Sequence, residues 1–392
     1  MGKINFNELI NRKGTYSTQW DYIKDRFGRD DILPFSISDT DFRAPKEIIE
    51  AVRELVDFGI YGYTRWNHDD FVNSIKNHYK NYYGDDISDT YVAYSPSVLF
   101  SIAILFEVLS KTNDSVVTFN PMYDAFFKVV ENNNRNLTKV DLNFDNGEFS
   151  FDEEELEHKI MNSQILLLCS PHNPTGKVWT PDEISYMINL CEKHDVWIIA
   201  DEIHADMVHD TNFTSLFGTT SSYEKLVVVS SASKTFNTPS LGGSYAIFKS
   251  MQTQQDFIEL LRNKYFVNSA SLPGIKSLMV GYDECDYYIE ELKAYIYDNY
   301  LYAKERLESM NSKIKVTNLH STYLMWIKID ELCDTNTLSE NLINYGKVGI
   351  MSGSVYGDSR FLRLNIGCPR AKLEEGLNRV EKTLEYMGLL DK

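Results

Sequence analysis

The chain has 392 residues, of which 43% are hydrophobic and 13% aromatic, enough apolar material for a sizeable core and about two domains. This composition excludes a disordered chain. There are 39 basic and 57 acidic residues, giving a net charge of −18 that is spread along the sequence. That balance argues against nucleic acid or an anionic membrane surface as the main partner.

The cysteines and the N-terminal sequence bear on the cellular compartment. The five cysteines are widely separated and form no CxxC pair, so reduced thiols are expected. The opening stretch MGKINFNELINRKG has no apolar signal core, and it has Phe6 where a myristoylation signal needs Ser or Thr. No apolar run reaches the roughly 18 residues of a membrane span. We therefore predict a cytoplasmic protein with no membrane association.

Between about residues 90 and 250, short apolar runs rich in β-branched residues alternate with helical patterns. The runs include YVAYS, SVVTFN, QILLLCS, VWIIAD and LVVVSS, and helical patterns such as DEISYMINLCEKH lie between them. This alternation predicts an α/β fold with a mostly parallel sheet sandwiched by helices. Such a sheet places its ligand beyond the carboxyl ends of the strands. We assign residues 45–284 to this large domain.

After about residue 280 the pattern changes. A long helical stretch, YYIEELKAYIYDNYLYAKERLESM, precedes the strand-like runs YLMWIKI and FLRLNIG and a final helix, KLEEGLNRVEKTLEYM. This order predicts a smaller α+β domain of residues 285–392, which we expect residues 1–44 to complete.

Polar residues stand where the predicted strands end, first in YSPSVLFSIAILFEVL and then in QILLLCSPHNPTGKVW. Ser97, Val98 and Leu99 would present free backbone N–H groups at a helix N-terminus, a site suited to a phosphate. Helix capping by Ser95 or Ser97 explains the first segment equally well. In the second, Asn173 lies in ordinary turn chemistry, although its amide could donate to a ligand oxygen.

The third strand end, VWIIADEIHADMVHD, delivers Asp201 directly after an apolar run. Its carboxylate could pair with a cationic ring nitrogen, but a helix cap is the commoner role for a lone aspartate. His204 and His209 follow, and their spacing fits neither the two-histidine helix of metalloproteases nor a Cys/His cluster. We predict no metal site.

The fourth strand end, LVVVSSASKTFN, places Lys234 among small hydroxyl residues. A lone lysine is nearly always solvated. At the mouth of a sheet, however, a desolvated lysine loses its proton more readily, and a neutral amine forms Schiff bases with aldehydes. Ser231 and Ser233 could bind a phosphate beside it.

The order of four motifs is more specific than any motif alone. SPHNPTG, ADEIHAD, SSASKTFN and RLNIGCPR together resemble the fold-type I aminotransferase superfamily, which depends on pyridoxal 5′-phosphate (PLP). The resemblance covers nearly the whole chain and implies a large PLP-binding domain with a smaller α+β domain. DTDFRAPKEIIEAV, GIYGYT and DEIHADMV further resemble the MalY/PatB-type cystathionine β-lyases, also called cysteine-S-conjugate β-lyases.

The resemblance implies a role for each matching residue. Lys234 would hold PLP covalently, and Asp201 would pair with the pyridine nitrogen and preserve the ring as an electron sink. Asn173 would donate to the 3′ oxygen and Tyr123 would stack on the ring, although Tyr123 could also be a core tyrosine. The catalytic residues would be Lys234, Asp201 and Tyr123. The implied cofactor contacts are Lys234, Asp201, Asn173, Tyr123, Ser231, Ser233, Val98, Leu99, His204 and Tyr63.

The resemblance also implies how an amino-acid substrate is held. Arg363, in FLRLNIG, would grip the α-carboxylate, since a bidentate guanidinium suits a planar carboxylate; the alternative is a buried structural arginine. Asn173 and Tyr63 would lie beside the substrate. Tyr63, in YGYT, would reach the phosphate of the neighbouring subunit, so the resemblance implies a homodimer with active sites at the subunit interface.

Several positions depart from the family pattern. Gly242 stands where transaminases usually have a phosphate-binding arginine. The β-lyase branch also tends to have glycine at this position. His204 replaces a tyrosine, Ser97 replaces a glycine, and SISDTDF opens its motif unusually. These departures bear on the substrate and not on the cofactor.

The chemistry implied is a β-elimination. The amine of Lys234 would remove the Cα proton, and a sulfur group on Cβ would leave as a thiolate, with pyruvate and ammonia as final products. L-Cystathionine and other S-substituted L-cysteines are the implied substrates. An aminotransferase of the same fold is the alternative, and a regulatory protein that contacts a transcription factor is another. An inactive homologue is disfavoured because the reactive lysine and its expected partners are present.

Overall fold

The computed structural model describes residues 4–219 and 222–391. Residues 1–3 and 392 of the predicted small domain and residues 220 and 221 of the predicted large domain therefore lie outside the described part. Its α-helices are α1 (Ile23–Phe27), α2 (Lys46–Phe58), α3 (Asp69–His78), α4 (Val98–Leu109), α5 (Asp124–Asn132), α6 (Glu153–Ile160), α7 (Pro181–His194), α8 (Met251–Glu259), α9 (Leu272–Glu284), α10 (Asp286–Met310), α11 (Thr335–Asn341) and α12 (Arg370–Tyr386).

The strands follow the same chain order. They are β1 (Leu33–Pro34), β2 (Tyr91–Ser95), β3 (Ser115–Asn120), β4 (Asn136–Asp141), β5 (Asn143–Asp145), β6 (Glu148–Ser150), β7 (Ile165–Cys169), β8 (Trp197–Asp201), β9 (Leu226–Ser230), β10 (Ser244–Phe248), β11 (Lys315–Val316), β12 (Leu324–Lys328), β13 (Val348–Gly349), β14 (Met351–Ser352) and β15 (Phe361–Asn365). A π-helical turn, Tyr79–Tyr83, extends α3.

The central sheet has seven strands in the order β2-β10-β9-β8-β7-β3-β4. Strand β10 runs antiparallel to β2 and β9, whereas the pairs from β9 to β4 are parallel. Every residue of β7 and β9 is buried, which is expected for strands covered by helices on both faces. The prediction of an α/β fold with a mostly parallel sheet is confirmed.

This strand order brings the predicted strand ends together. Because β2, β7, β8 and β9 all point the same way, their carboxyl ends meet at one edge of the sheet. The residues that follow them, Pro96, Ser170, Glu202 and Ser231, therefore start four loops on the same side. A ligand site is expected there in sheets of this kind.

A second sheet lies in the C-terminal part, with four antiparallel strands in the order β11-β12-β15-β14. The predicted long helix is α10, with 25 residues, and the predicted last helix is α12. Strand β1 pairs in parallel with β13 through Leu33 and Val348, which joins the N-terminal residues to the C-terminal part. The domain boundaries at residues 44 and 284 remain a prediction.

Two further features of the described residues concern the sequence predictions. All five cysteines are free, as expected for reduced thiols. Among the helices of residues 4–219 and 222–391, none combines the length and the apolar composition that crossing a membrane requires.

Candidate active site

A cavity of about 200 Å³ opens at the edge where the four strands end. Its lining comes from all four strand-end loops, from the residue before α5 and from the N-terminal residue Ser38. The lining residues are Ser38, Pro96, Ser97, Val98, Leu99, Tyr123, Cys169, Asn173, Asp201, Ile203, His204, Ser231, Ser233, Lys234, Pro239, Gly242 and Gly243. The fold thus brings together nine of the eleven residues that we expect to contact cofactor or substrate, and Arg363 and Tyr63 are the two that do not line the cavity.

Lys234 lies in the turn after β9, and its amine reaches into the cavity wall. Its Nζ donates to the carbonyl oxygen of Ser38 at 2.6 Å. Burial lowers the pKa of the Lys234 ammonium to about 8, against the opposing effect of Asp39 and Asp201. An amine with this pKa is partly neutral near pH 8, so Lys234 is suited to nucleophilic and general-base chemistry. The solvated-lysine alternative does not describe this side chain.

Asp201 is the last residue of β8 and is only 4% exposed. Its Oδ1 accepts one hydrogen bond, from the backbone N–H of Ile203 at 3.0 Å. Burial raises the pKa of the Asp201 carboxyl to about 7, although Lys234 opposes the rise. The alternative role of Asp201 as a helix cap is supported only by this single hydrogen bond. A cation in the cavity would stabilise the ionised carboxylate, as the predicted ring-nitrogen pair requires.

Arg363 lies in the middle of β15, behind the cavity wall. Its Nη1 donates to Asn173 Oδ1 at 3.0 Å and its Nη2 to the carbonyl oxygen of Ser36 at 2.9 Å. The guanidinium lies 4.2 Å from the ring centre of Tyr356. The side chain is 3% exposed, its Nε has no partner, and no carboxylate in the described part forms an ion pair with it.

A buried guanidinium without a counter-ion is costly, and burial accordingly lowers the pKa of Arg363. A substrate carboxylate would supply the missing charge and would satisfy the free Nε. Asn173 has its Oδ1 occupied by Arg363, which leaves the amide nitrogen as the donor for a ligand oxygen. Asn173 thus links the predicted substrate arginine to the cavity.

The N-terminus of α4 brings hydrogen-bond donors to the cavity wall. Helix α4 begins at Val98, and the Ser97 side chain caps it by accepting from the N–H of Phe100 at 3.3 Å. The N–H groups of Val98 and Leu99 belong to the first turn, where no helical carbonyl can pair with them. Capping by Ser97 and anion binding by its neighbours are therefore compatible, since they use different N–H groups.

Ser231 and Ser233 also line the cavity, and Gly243, which contacts Ser231, donates its N–H to the carbonyl oxygen of Pro96 just before α4 at 3.1 Å. Ser231 Oγ lies 3.0 Å from Ser233 Oγ and 2.8 Å from the carbonyl oxygen of Gly243. Gly242, which stands where transaminases usually have an arginine, has φ of 74°. This left-handed backbone favours glycine over arginine, so the departure has a local structural reason.

Tyr123 and His204 are the two ring residues of the cavity wall. Burial raises the pKa of the Tyr123 hydroxyl to about 12, so the hydroxyl stays protonated. Burial lowers the pKa of His204 to about 3, so the imidazole is neutral, and its Nδ1 has no partner within the described residues. His204 thus lines the cavity with one ring nitrogen that lacks a hydrogen-bond partner in the described part of the chain.

His209 is not part of this cavity. Its Nε2 lies 2.6 Å from the carbonyl oxygen of Thr322, and its ring packs against Tyr297 at 5.7 Å. These contacts give His209 a structural role. In the part of the chain that the structure describes, no group of three or more His, Cys, Asp or Glu side chains is placed to hold a metal ion.

Tyr63 is not brought to the cavity by its own chain. Its side chain is 98% exposed, and it borders a separate surface depression with Thr64, Trp66 and Asn268. A contact between Tyr63 and a cofactor therefore requires a second subunit. That contact remains a prediction.

Some residues reach the site from distant parts of the chain and were assigned no role from any sequence motif. The Ser38 carbonyl accepts both from Lys234 and from the Tyr323 hydroxyl at 3.0 Å. We call residues 36–41 the N-terminal strap, because this segment runs along the site and its carbonyl oxygens accept hydrogen bonds from Lys234 and Arg363. Asn365 fixes the strap by donating to the carbonyl oxygens of Ile37 and Asp39. The unusual SISDTDF motif was the only sequence signal there.

The residues of the cavity fit PLP chemically. An amine with a lowered pKa shares the cavity with a buried carboxylate, an amide donor and a tyrosine ring, and first-turn N–H groups with two hydroxyls offer an anion site. These groups match, in turn, an aldehyde, a pyridinium, a phenolic oxygen, an aromatic face and a phosphate. The cavity thus supplies a complementary group for each part of the cofactor.

Comparison with known proteins agrees with this reading. The model of the family described as aminotransferase class I and II matches residues 30–380. Protein MalY of Escherichia coli is 36% identical over 95% of this chain and 97% of its own length, and cystathionine beta-lyase PatB of Bacillus subtilis is 30% identical over 97% and 100%. The crystal structure of cystalysin from Treponema denticola, which contains PLP, matches with a TM-score of 0.92 at 26% identity, covering 98% of this chain and all of that one. The chain therefore belongs to the aminotransferase class I and II family, in the group that includes MalY and PatB.

Proposed function

We propose that this protein is a PLP-dependent carbon–sulfur β-lyase that cleaves S-substituted L-cysteines to a thiol, pyruvate and ammonia. The likeness to PatB, named a cystathionine beta-lyase, and to cystalysin supports the reaction and the cofactor. The observation that carries the proposal is the grouping of Lys234 and Asp201 in one cavity, with the unpaired guanidinium of Arg363 directly behind Asn173.

The cofactor would be held by groups at both ends of the cavity. Lys234 Nζ would bond to the cofactor aldehyde, and Asp201 would carry the negative charge opposite the ring nitrogen. The amide of Asn173 and the neutral imidazole of His204 would contact the ring substituents, and Tyr123 would stack on the ring face. Ser231, Ser233 and the N–H groups of Val98 and Leu99 would bind the phosphate.

Bound PLP would act as an electron sink for the pair left on the substrate Cα. The residues of the chain move and place the proton. Lys234 Nζ would take the Cα proton, and its pKa of about 8 suits a general base near neutral pH. Arg363 would bind the α-carboxylate and so fix the direction of the Cα–H bond.

The proposal extends to the assembly. We propose a homodimer in which Tyr63 of one subunit completes the cofactor site of the other, because an exposed tyrosine beside other exposed apolar side chains suits a subunit contact. We also propose a large domain of residues 45–284 and a small domain of residues 1–44 and 285–392, located in the cytoplasm. The pairing of β1 with β13 supports joining the two small-domain segments.

The first experiment incubates the purified protein with PLP and L-cystathionine and measures pyruvate and ammonia together, with no keto acid added. We expect the two products in equal amounts. Product formation only after a keto acid is supplied would instead make the protein an aminotransferase. A protein that binds no PLP would overturn the proposal at its first step.

A further inference from the structure

A buried carboxylate outside the cavity, Asp206, has an unusual set of partners. It is 3% exposed and lies in the turn after β8, five residues beyond Asp201. It accepts from His78 Nε2 at 2.8 Å, from the Tyr83 hydroxyl at 2.5 Å and from the Thr235 hydroxyl at 2.6 Å. Thr235 directly follows Lys234, so one of these bonds acts on the turn that carries the reactive amine.

The two buried aspartates of this segment differ in their electrostatic state. Burial alone would raise the pKa of Asp206, but His78 and the three hydrogen bonds outweigh it and hold the pKa below its ordinary value. Asp206 is therefore ionised, and charge-assisted hydrogen bonds are the stronger kind. Asp201, with one hydrogen bond, has a raised pKa. Asp206 is thus a fixed anion, whereas Asp201 still needs a partner.

The far side of Asp206 is held by a rigid aromatic stack. The His78 ring lies between Tyr282 at 3.9 Å and Tyr82 at 5.2 Å, with interplanar angles of 6° and 8°. These rings belong to α3, α9 and the π-helical turn Tyr79–Tyr83. Asp206 therefore links the lysine turn to three packed elements that do not touch the cavity.

We propose that Asp206 is a positioning residue, which fixes the backbone of Lys234 through the hydroxyl of Thr235. The inference rests on the proposed function, in which Lys234 Nζ bonds to the cofactor and later takes the Cα proton. A lysine side chain is long and flexible, so its Nζ reaches a reacting atom reproducibly only if its backbone is fixed. Errors of about 1 Å in such a group cost about a hundredfold in rate.

The test compares variants of Thr235 that differ in one hydroxyl. Thr235→Val removes the donor to Asp206 at nearly constant shape, and Thr235→Ser keeps it. Tyr83→Phe is the matched control, because it removes another donor to the same carboxylate without touching the lysine turn. The measurements are the rate at which added PLP condenses with Lys234, with loss of one water, in the cofactor-free protein, then kcat and KM, and Tm.

We expect Thr235→Val to slow PLP attachment and to lower kcat by about tenfold or more, with KM changed by less than about twofold. Thr235→Ser and Tyr83→Phe are expected to attach PLP at the unmodified protein's rate within about twofold. If Thr235→Val does not fold, Thr235→Ala replaces it with the same expectations.

Two results would overturn the inference. One is normal attachment and kcat in Thr235→Val; the other is an equal loss in Tyr83→Phe, which would reduce Asp206 to general stabilisation. Failure of the proposed function is distinguishable, because borohydride trapping and mass spectrometry of the unmodified protein would then find PLP on no residue or on a lysine other than Lys234.

Discussion

At the residue scale, the site depends on charges that are incompletely paired. Lys234 and Asp201 have pKa values shifted toward each other, to about 8 and about 7, and burial is the main cause of both shifts. Arg363 is buried, its guanidinium donates to an amide and a backbone oxygen, and no carboxylate of the described residues forms an ion pair with it. Perturbed groups that share one cavity are typical of active sites.

Arg363→Ala is expected to lower kcat/KM, mainly through a higher KM, because truncation removes a charge-assisted pair with the substrate carboxylate. The loss of transition-state stabilisation should be roughly 2–4 kcal/mol. Steady-state kinetics on L-cystathionine measure this. Arg360→Ala is the matched control, since Arg360 is exposed, pairs with Asp358 and does not line the cavity, so its loss should leave kcat/KM unchanged. Unchanged kinetics in Arg363→Ala would make Arg363 a structural residue.

Asp201 should impose a pH dependence on the stability of the cofactor-free protein. Its pKa is about 7 in the folded state and about 4 in an unfolded chain. Between these values the folded state binds more protons, so this group's contribution to stability falls as pH rises from about 4 to about 7.

Asp201→Asn removes this contribution. The Tm of the variant minus that of the unmodified protein should therefore increase as pH rises through the same range. Thermal melts at several pH values measure the difference. Asp25→Asn, an exposed substitution in α1, should show no such trend. A difference in Tm that stays constant with pH would mean that Asp201 is not buried as the structure shows.

At the element scale, the carboxyl ends of β2, β7, β8 and β9 supply most of the cavity wall. These ends could be predicted from sequence because each apolar run stops at a polar residue, and parallel strands leave their ends on one side. The N-terminal strap could not be predicted. Its bonds to Lys234 and Arg363 join residues 196 and 327 positions apart, and no local periodicity encodes contacts at that distance.

The roles of Tyr356 and Asp206 could not be predicted either. Tyr356 packs on Arg363 from the 3-10 turn Gly353–Tyr356, and the sequence shows Asp206 only as one more polar residue after a strand. Their roles depend on which side chains fold against them. By contrast, Lys234, Asp201 and Asn173 were identified because motif order and resemblance carried information that spacing alone lacked.

The predicted phosphate site at the N-terminus of α4 can be tested by comparing ligands with and without a phosphate. Ser231→Ala removes a hydroxyl from the predicted phosphate site and is expected to weaken PLP binding by about 1.5–3 kcal/mol, the usual value of a hydrogen bond to a charged group. Binding of pyridoxal, which lacks the phosphate, should not change. Ser240→Ala, an exposed serine nearby, is the control. Equal losses for PLP and pyridoxal would contradict a phosphate role.

At the scale of the whole molecule, the central question is whether one chain makes a complete site. The described residues place Tyr63 on the surface, 98% exposed, away from the cavity. An acidic chain with exposed apolar residues at Phe58, Ile60 and Tyr61 has a surface segment that suits association. A dimer with exchanged tyrosines would complete both sites.

Mixing subunits tests this arrangement. Lys234→Ala and Tyr63→Ala are each expected to be nearly inactive. Refolding them together should give hybrids in which one of two sites has both residues, so about a quarter of the normal activity returns for random pairing. Sedimentation measures the dimer in parallel. No recovery in a mixture that does form dimers would place Tyr63 outside the partner's site.

The unpaired guanidinium of Arg363 has a practical consequence. In a protein of net charge −18, this residue makes the empty site a local receptor for small anions, against the field of the surrounding surface. Acetate, formate or malonate would compete with the substrate carboxylate for the same donors. Assays in carboxylate buffers would therefore understate substrate affinity, and buffers without carboxylates would reveal it.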